Sequence, residues 1–97
     1  MTVYVDRLMP CIPNRRWRCD RACHLFADST EELHAFAGRL GLKRGWFQGQ
    51  SRLDHYDLTP GKRRQAIALG AVAADPQTVV HHMRPRKGAK AQTRAEG

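Results

Sequence analysis

No stretch of this chain approaches the roughly 18 consecutive apolar residues that a membrane-crossing helix needs, so no helical span and no membrane partner are expected. Cysteine is sparse and odd in number. Cys11, Cys19 and Cys23 cannot form a complete disulfide framework, and reduced thiols in a cytoplasmic protein are the simpler expectation. The N-terminus, Met1-Thr2-Val3-Tyr4-Val5-Asp6-Arg7, lacks the basic-then-apolar layout of a secretory signal, which points to the same compartment. There is no nucleophile elbow, Walker loop, paired-cysteine finger or zinc-protease helix, which argues against the common hydrolase and nucleotidase classes. Acid is scarce too: 9 Asp and Glu face 17 Lys and Arg, for a net charge of +8.

What remains is one small domain. A chain of 97 residues has enough length for a modest single core. The division falls at residues 1–83, the domain, and 84–97, where apolar content vanishes and a basic, disordered tail is expected. Five Lys/Arg and one Glu lie in that tail, so half of the net charge sits there. The folded part is only moderately basic, a balance that favours polyanionic partners and also serves solubility.

Periodicity supplies the elements. Thr2 to Asp6 alternates Val3 and Val5 against Tyr4 and Asp6 and reads as a strand. Pro10, Pro13 and Asn14 make 8–22 a loop, and Cys23 to Ala27 is a short apolar patch, strand or helical turn. Ser29 and Glu32 have capping-box spacing, Leu33, Phe36, Ala37 and Leu40 form one helical stripe, and Gly41 stops it. Gly45 to Gln48 reads as a brief strand, and 49–54 as a polar loop. His55 to Leu58 is extended, and 60–69 is a second helix burying Ala66, Ile67 and Leu69. Ala71 to Ala73 suggests another strand, and Asp75-Pro76 opens a short third helix over 76–83. The expected fold is α/β, a small single-layer sheet with two main helices packed on it.

The chemistry concentrates in His55-Tyr56-Asp57-Leu58-Thr59 followed by Pro60-Gly61-Lys62-Arg63-Arg64. Period-two alternation puts His55 and Asp57 on one face of an extended segment. Thr59 and Pro60 are the N-cap and first residue of the helix, whose opening turn carries three cations. Cations there oppose the helix dipole, and a bound anion would relieve the conflict. Asp6 at the end of the first strand, and His24 and Asp28 four apart, extend the group. The blander arrangement has Asp57 and Thr59 capping the helix while His55 bonds a backbone carbonyl.

Candidate ligand contacts are therefore Asp6, His24, Asp28, Thr59, Lys62, Arg63 and Arg64, with His55 and Asp57 as a candidate acid/base pair. Asp6, His24, His55 and Asp57 could hold a divalent metal, the less favoured use, and no particular cofactor is implied. Cys19, Cys23 and His24, completed by Cys11 or His55, have spacing unlike the usual zinc patterns. Arg15-Arg16-Trp17-Arg18 mixes cations with an indole, so that Arg16 could grip a phosphate and Trp17 stack on a base. Alternatively Trp17 closes the edge of the core and the arginines are solvated. His34 reads as a half-exposed surface histidine, Trp46 and Phe47 as core or core-edge residues, and His81-His82 carries no assigned role.

Several segments fall in order as Tyr4-Val5-Asp6, His24-Leu25-Phe26-Ala27-Asp28, Glu32-Leu33-His34-Ala35-Phe36-Ala37 and Leu40-Gly41-Leu42. His55-Tyr56-Asp57-Leu58-Thr59 and Arg64-Gln65-Ala66 before Gly70-Ala71 complete the series. Together, over roughly residues 2–72, they resemble the domain of unknown function 4031 family of small bacterial and phage proteins. The resemblance implies a stand-alone small domain, and no catalytic role is carried over from it. It leaves Pro10 to Pro13 and the basic tail as additions to the pattern.

The favoured function is binding of a phosphate-bearing ligand or nucleic acid around the His55 to Arg64 stretch. The alternatives are a small phosphodiesterase- or nucleotide-hydrolase-like enzyme using His55 and Asp57, and a phage-type adapter or inhibitor docking on a host protein. The sequence carries no signal for oligomeric state.

Overall fold

The structure, a computed structural model, describes residues 2–15, 17, 19–49 and 52–84. In chain order the elements are β1 (Val3–Val5), β2 (Met9–Pro10), β3 (Arg21–Ala27), α1 (Thr30–Arg39), β4 (Tyr56–Leu58), α2 (Pro60–Ala68), β5 (Val72–Ala73) and α3 (Pro76–His82). A single 3₁₀ turn spans Arg44–Trp46. The fold is α/β, a small mixed sheet with helices packed on it.

β3 is the spine of the sheet. Leu25 pairs with Val5 on one flank and Tyr56 on the other, both antiparallel, and β5 lies beyond β1 in parallel. β2 pairs the start of β3, with Met9 opposite Ala22. Four steps along the first arm, Val5 to Met9, match three along the other, Leu25 to Ala22. That extra residue is the mark of a bulge just after Asp6.

Alternation sorts side chains to two faces. Val3, Val5, Cys23, Leu25, Tyr56 and Leu58 point to the helices and join Leu33, Phe36, Ala37, Leu40 and Ala66 in one core. Tyr4, Asp6, His24, Phe26, His55 and Asp57 alternate with them and occupy the opposite face. There the covering is partial: Tyr4 stacks on Phe26 with ring centroids 5.2 Å apart, and His82 of α3 lies against both rings.

The helices end as their sequences demand. Ser29 Oγ accepts from Glu32 N, and Thr59 Oγ1 and Asp75 Oδ1 cap α2 and α3 in the same way, with Pro60 and Pro76 in the first helical turn. At the other end of α1, Leu42 N donates to Ala37 O and Gly41 N to Gly38 O, the Schellman pattern, with Gly41 at φ +81°.

Several expectations are corrected. The loop 8–22 contains β2 and the start of β3, whose Arg21 and Ala22 lack the β-branched or aromatic character that marks a strand. Gly45 to Gln48 is not a strand. Its chain turns through Arg44–Trp46, and only Gln48 makes a bridge, to His55. Trp46 is 51% exposed rather than in the core, and Phe47 packs on the core's edge. Ile67 and Leu69 are exposed too, because α2 turns Ala66, with the stems of Lys62 and Arg63, toward the sheet. The basic tail lies outside the described residues except for Arg84, which bonds Asp54 Oδ1 at 2.8 Å and Gly49 O at 3.1 Å.

Candidate functional site

Three strands build one row of polar side chains across the open face. Asp57 of β4 is directly opposite His24 of β3, and Asp6, one residue past β1, donates its backbone N–H to His24 O on the other flank. His55 precedes Asp57 by two residues and so shares its face. Asp6 follows β1, and Asp57 and Thr59 lie at the end of the similarly directed β4. The group thus sits at the carboxyl ends of two strands, the usual ligand position in open α/β sheets.

The buried Asp6 carboxylate accepts from His24 N and from His24 Nδ1, each at 2.6 Å. That hydrogen bond raises the His24 imidazole above its ordinary value, more than burial lowers it. His55 Nδ1 lies 2.6 Å from Leu53 O; a carbonyl only accepts, so this nitrogen carries a hydrogen. His55 Nε2 then faces Asp57 Oδ1 at 3.4 Å. The contact with His55 lowers the Asp57 carboxyl, against desolvation that raises it. The His24 and His55 rings meet edge to face at 4.5 Å. One donor atom each from His24, His55 and Asp57 lies within 4.8 Å of the others, so these three are the residues that could hold a metal.

A cleft of about 1220 Å³ opens beside them, where β3 begins and β4 ends. Its walls are largely apolar, from Met9, Ile12, Trp17 and Trp46, and its polar floor includes His24, Asp57, Thr59 and Lys62. Lys43 lies over the Trp46 ring at 5.7 Å. The Trp17 indole N–H is buried with no hydrogen-bond partner among the described residues.

Asp6, His24, His55, Asp57, Thr59 and Lys62 are thus brought together at one end of the sheet. The cations of α2 are less available than the sequence suggests. Lys62 Nζ donates to Leu40 O at 2.6 Å, and Arg63 Nε to Asp6 O at 2.8 Å, while Arg64 is exposed. The dipole conflict at the start of α2 is eased from within, since Lys62 serves the carbonyl end of α1. Asp28 belongs elsewhere: its stretch is strand rather than helix, and its carboxylate meets Tyr4, Thr2 N and His82. Thr59 caps α2 and His55 bonds a carbonyl, as in the blander arrangement, but Asp57 faces His55 instead of capping. Arg16 lies outside the described residues. His34 is half-buried and bonds the Tyr56 hydroxyl at 2.8 Å.

Two features have no local signal in the sequence. The His24–Asp57 juxtaposition depends on strand register, which no short pattern reveals. The His82–Asp28–Tyr4 cluster joins positions 54 and 24 residues apart.

A mixed α/β domain with an imidazole-carboxylate row on its open sheet face is the class so defined. A family model described as Protein of unknown function (DUF4031) matches residues 3–86, and the chain belongs to that family. The match runs through Pro10 to Pro13 and reaches beyond the segments that carry the resemblance. No curated protein and no solved structure matches the chain. Among the described residues, no helix is long and apolar enough to cross a membrane.

Proposed function

We propose that this chain binds a phosphate-bearing ligand, a nucleotide or a short single strand of nucleic acid, in the cleft at the start of β3. The supporting observation is the division of that cleft into an apolar, indole-bearing wall and a polar floor of His24, Asp57, Thr59 and Lys62. Such a division suits a ligand with a flat ring at one end and an anion at the other. Its volume exceeds the roughly 300–1,000 Å³ of ordinary small-molecule sites, which leaves room for more than one nucleotide. The hydrogen bond to Asp6 raises the His24 imidazole above its ordinary value, which favours its protonated form on the floor of the cleft. Binding is favoured over hydrolysis by His55 and Asp57 alone, because His55 is only 9% exposed and offers a substrate little imidazole. Three free thiols fit a reducing cytoplasm.

The test is anisotropy of a short labelled single strand titrated with the chain across a salt series. Affinity should fall with salt at a log–log slope of about −0.7 per phosphate contacted. Trp46→Ala should weaken binding by about 1–3 kcal/mol, the worth of one stacked base. Undiminished binding by Trp46→Ala, combined with complete loss on deletion of residues 85–97, would reduce the interaction to tail electrostatics. Salt-insensitive binding to a protein instead would favour the adapter reading.

A further inference from the structure

The floor of the cleft poses an electrostatic problem that a phosphate alone does not solve. Asp57 points at His55 Nε2, and Asp6 stands behind His24, so two carboxylates flank two imidazoles. His55 Nδ1 already has its hydrogen directed at Leu53 O, so in the neutral ring Nε2 presents a lone pair to the Asp57 oxygen. Two lone pairs 3.4 Å apart repel unless a proton or a cation lies between them. A proton on His55 would settle that one contact. His24 Nδ1 is likewise committed, to Asp6, and its ring meets that of His55 edge to face.

We infer that His24, His55 and Asp57 form a binding site for one divalent transition-metal ion, zinc being the best fit to two imidazoles and a carboxylate. The inference goes beyond the phosphate reading and does not depend on it. Three observations carry it. The donor atoms of the three residues lie within 4.8 Å of one another. Both rings are held at Nδ1 by the partners that metal-binding histidines use, a carboxylate on His24 and a backbone carbonyl on His55, which orient Nε2 for a metal. His24 and Asp57 lie directly opposite each other on adjacent strands, and His55, just before β4, is held by its bridge to Gln48, so backbone pairing places all three.

Tetrahedral zinc with bonds of about 2.1 Å separates its ligand atoms by about 3.4 Å. The His55–Asp57 separation of 3.4 Å already matches that spacing, and the triad as a whole, within 4.8 Å, closes by a small movement. Three protein ligands leave a fourth position toward the cleft for water or a ligand oxygen, the arrangement of an open zinc site rather than a structural one. Binding displaces any imidazole proton, and the charge of the ion offsets both carboxylates. Arg63, through Asp6 O, helps hold the residue that orients His24, and is a positioning residue.

The experiment is calorimetric titration of the metal-free, tag-free full chain with zinc alone, no phosphate compound present, and cobalt spectroscopy in parallel. One ion per chain is expected. Asp57→Asn and His24→Gln, both on partly exposed side chains, should each weaken binding at least about 100-fold, beyond the 10–100-fold typical of outer partners. Asp6→Asn should fall within that 10–100-fold range. His55 is buried, so its removal is interpreted only alongside those two variants. Cys19→Ser and the His81→Ala, His82→Ala pair should leave affinity unchanged. The inference is overturned if Asp57→Asn binds zinc like the parent. It also falls if cobalt gives an intense thiolate charge-transfer band, or if binding follows His81 and His82. A chain that binds zinc but no single strand would keep this site and discard the phosphate reading.

Discussion

Lys62 and Arg63 show how much a charged residue's meaning depends on what it reaches. On the sequence they crowd the positive end of a helix. In the fold the Lys62 ammonium is 2.6 Å from Leu40 O, at the carbonyl end of α1, where a cation is favourable. Lys62→Ala should therefore destabilise the fold by about 1.5–3 kcal/mol, the range for a hydrogen bond to a charged group. Urea denaturation would measure it, and a parent-like midpoint would show the contact to be ornamental. Cys23 is a further case. Its side chain is 1% exposed on the helix side of the sheet, and burial pushes its thiol up to about 12, so it packs as a small apolar residue. The residue types of the candidate site are legible in His55, Asp57 and Asp6. The intramolecular partners of Lys62 and Arg63 are not, since Leu40 and Asp6 lie 22 and 57 residues away.

At the scale of elements, local chemistry is reliable wherever the deciding contacts are local. The Ser29 cap of α1, its glycine stop, and the Thr59-Pro60 and Asp75-Pro76 starts all depend on residues within a few positions, and all of them form. Two glycines in and after α1 make the point testable, with opposite signs. Gly41 sits at φ +81°, where a side chain is strained, so Gly41→Ala should cost about 1 kcal/mol. Gly38 lies in the helix with open space where a methyl group would project, so Gly38→Ala should stabilise by about 0.5–1 kcal/mol. Thermal melts of the two variants should move in opposite directions; movement together would refute the assignment of the helix end. The departures from expectation have a common cause. β2 and the first residues of β3 are made of Pro10, Arg21 and other poor strand formers, and they are extended only because each pairs the other. In α2 the bulk of Ile67 and Leu69 suggests one apolar face, yet the side toward the sheet holds the small Ala66 and the stems of Lys62 and Arg63.

The whole molecule has one face sealed by α1 and α2 and another that α3 covers only in part. What holds α3 there is His82. Its Nδ1 is 2.8 Å from Thr78 O and its Nε2 is 2.9 Å from Asp28 Oδ1, so both nitrogens face acceptors and both bonds need the doubly protonated ring. Burial lowers the His82 imidazole, but the bonds to Asp28 and Thr78 raise it more, and the net shift is upward from 6.5. The hydrogen bond to His82 leads the causes that lower the Asp28 carboxyl. The signs follow from linkage. A raised His82 contributes stability in full below its unfolded value, and that contribution is lost as pH climbs through the raised folded value. A lowered Asp28 contributes above the ordinary carboxylate range, and its contribution is lost as pH falls through the depressed value. The clasp is therefore fully made between the two, in mildly acidic solution, and loosens as pH rises beyond the ordinary histidine value of 6.5. Amide exchange in α3, corrected for its intrinsic pH dependence, should lose protection as pH rises above 6.5 and through the raised His82 value. Exchange in β3 should not change with it. In His82→Gln the pH step should vanish while α3 stays less protected throughout. A step that survives this substitution would place the titrating group elsewhere and leave α3 held by its apolar contacts with Tyr4 and Phe26.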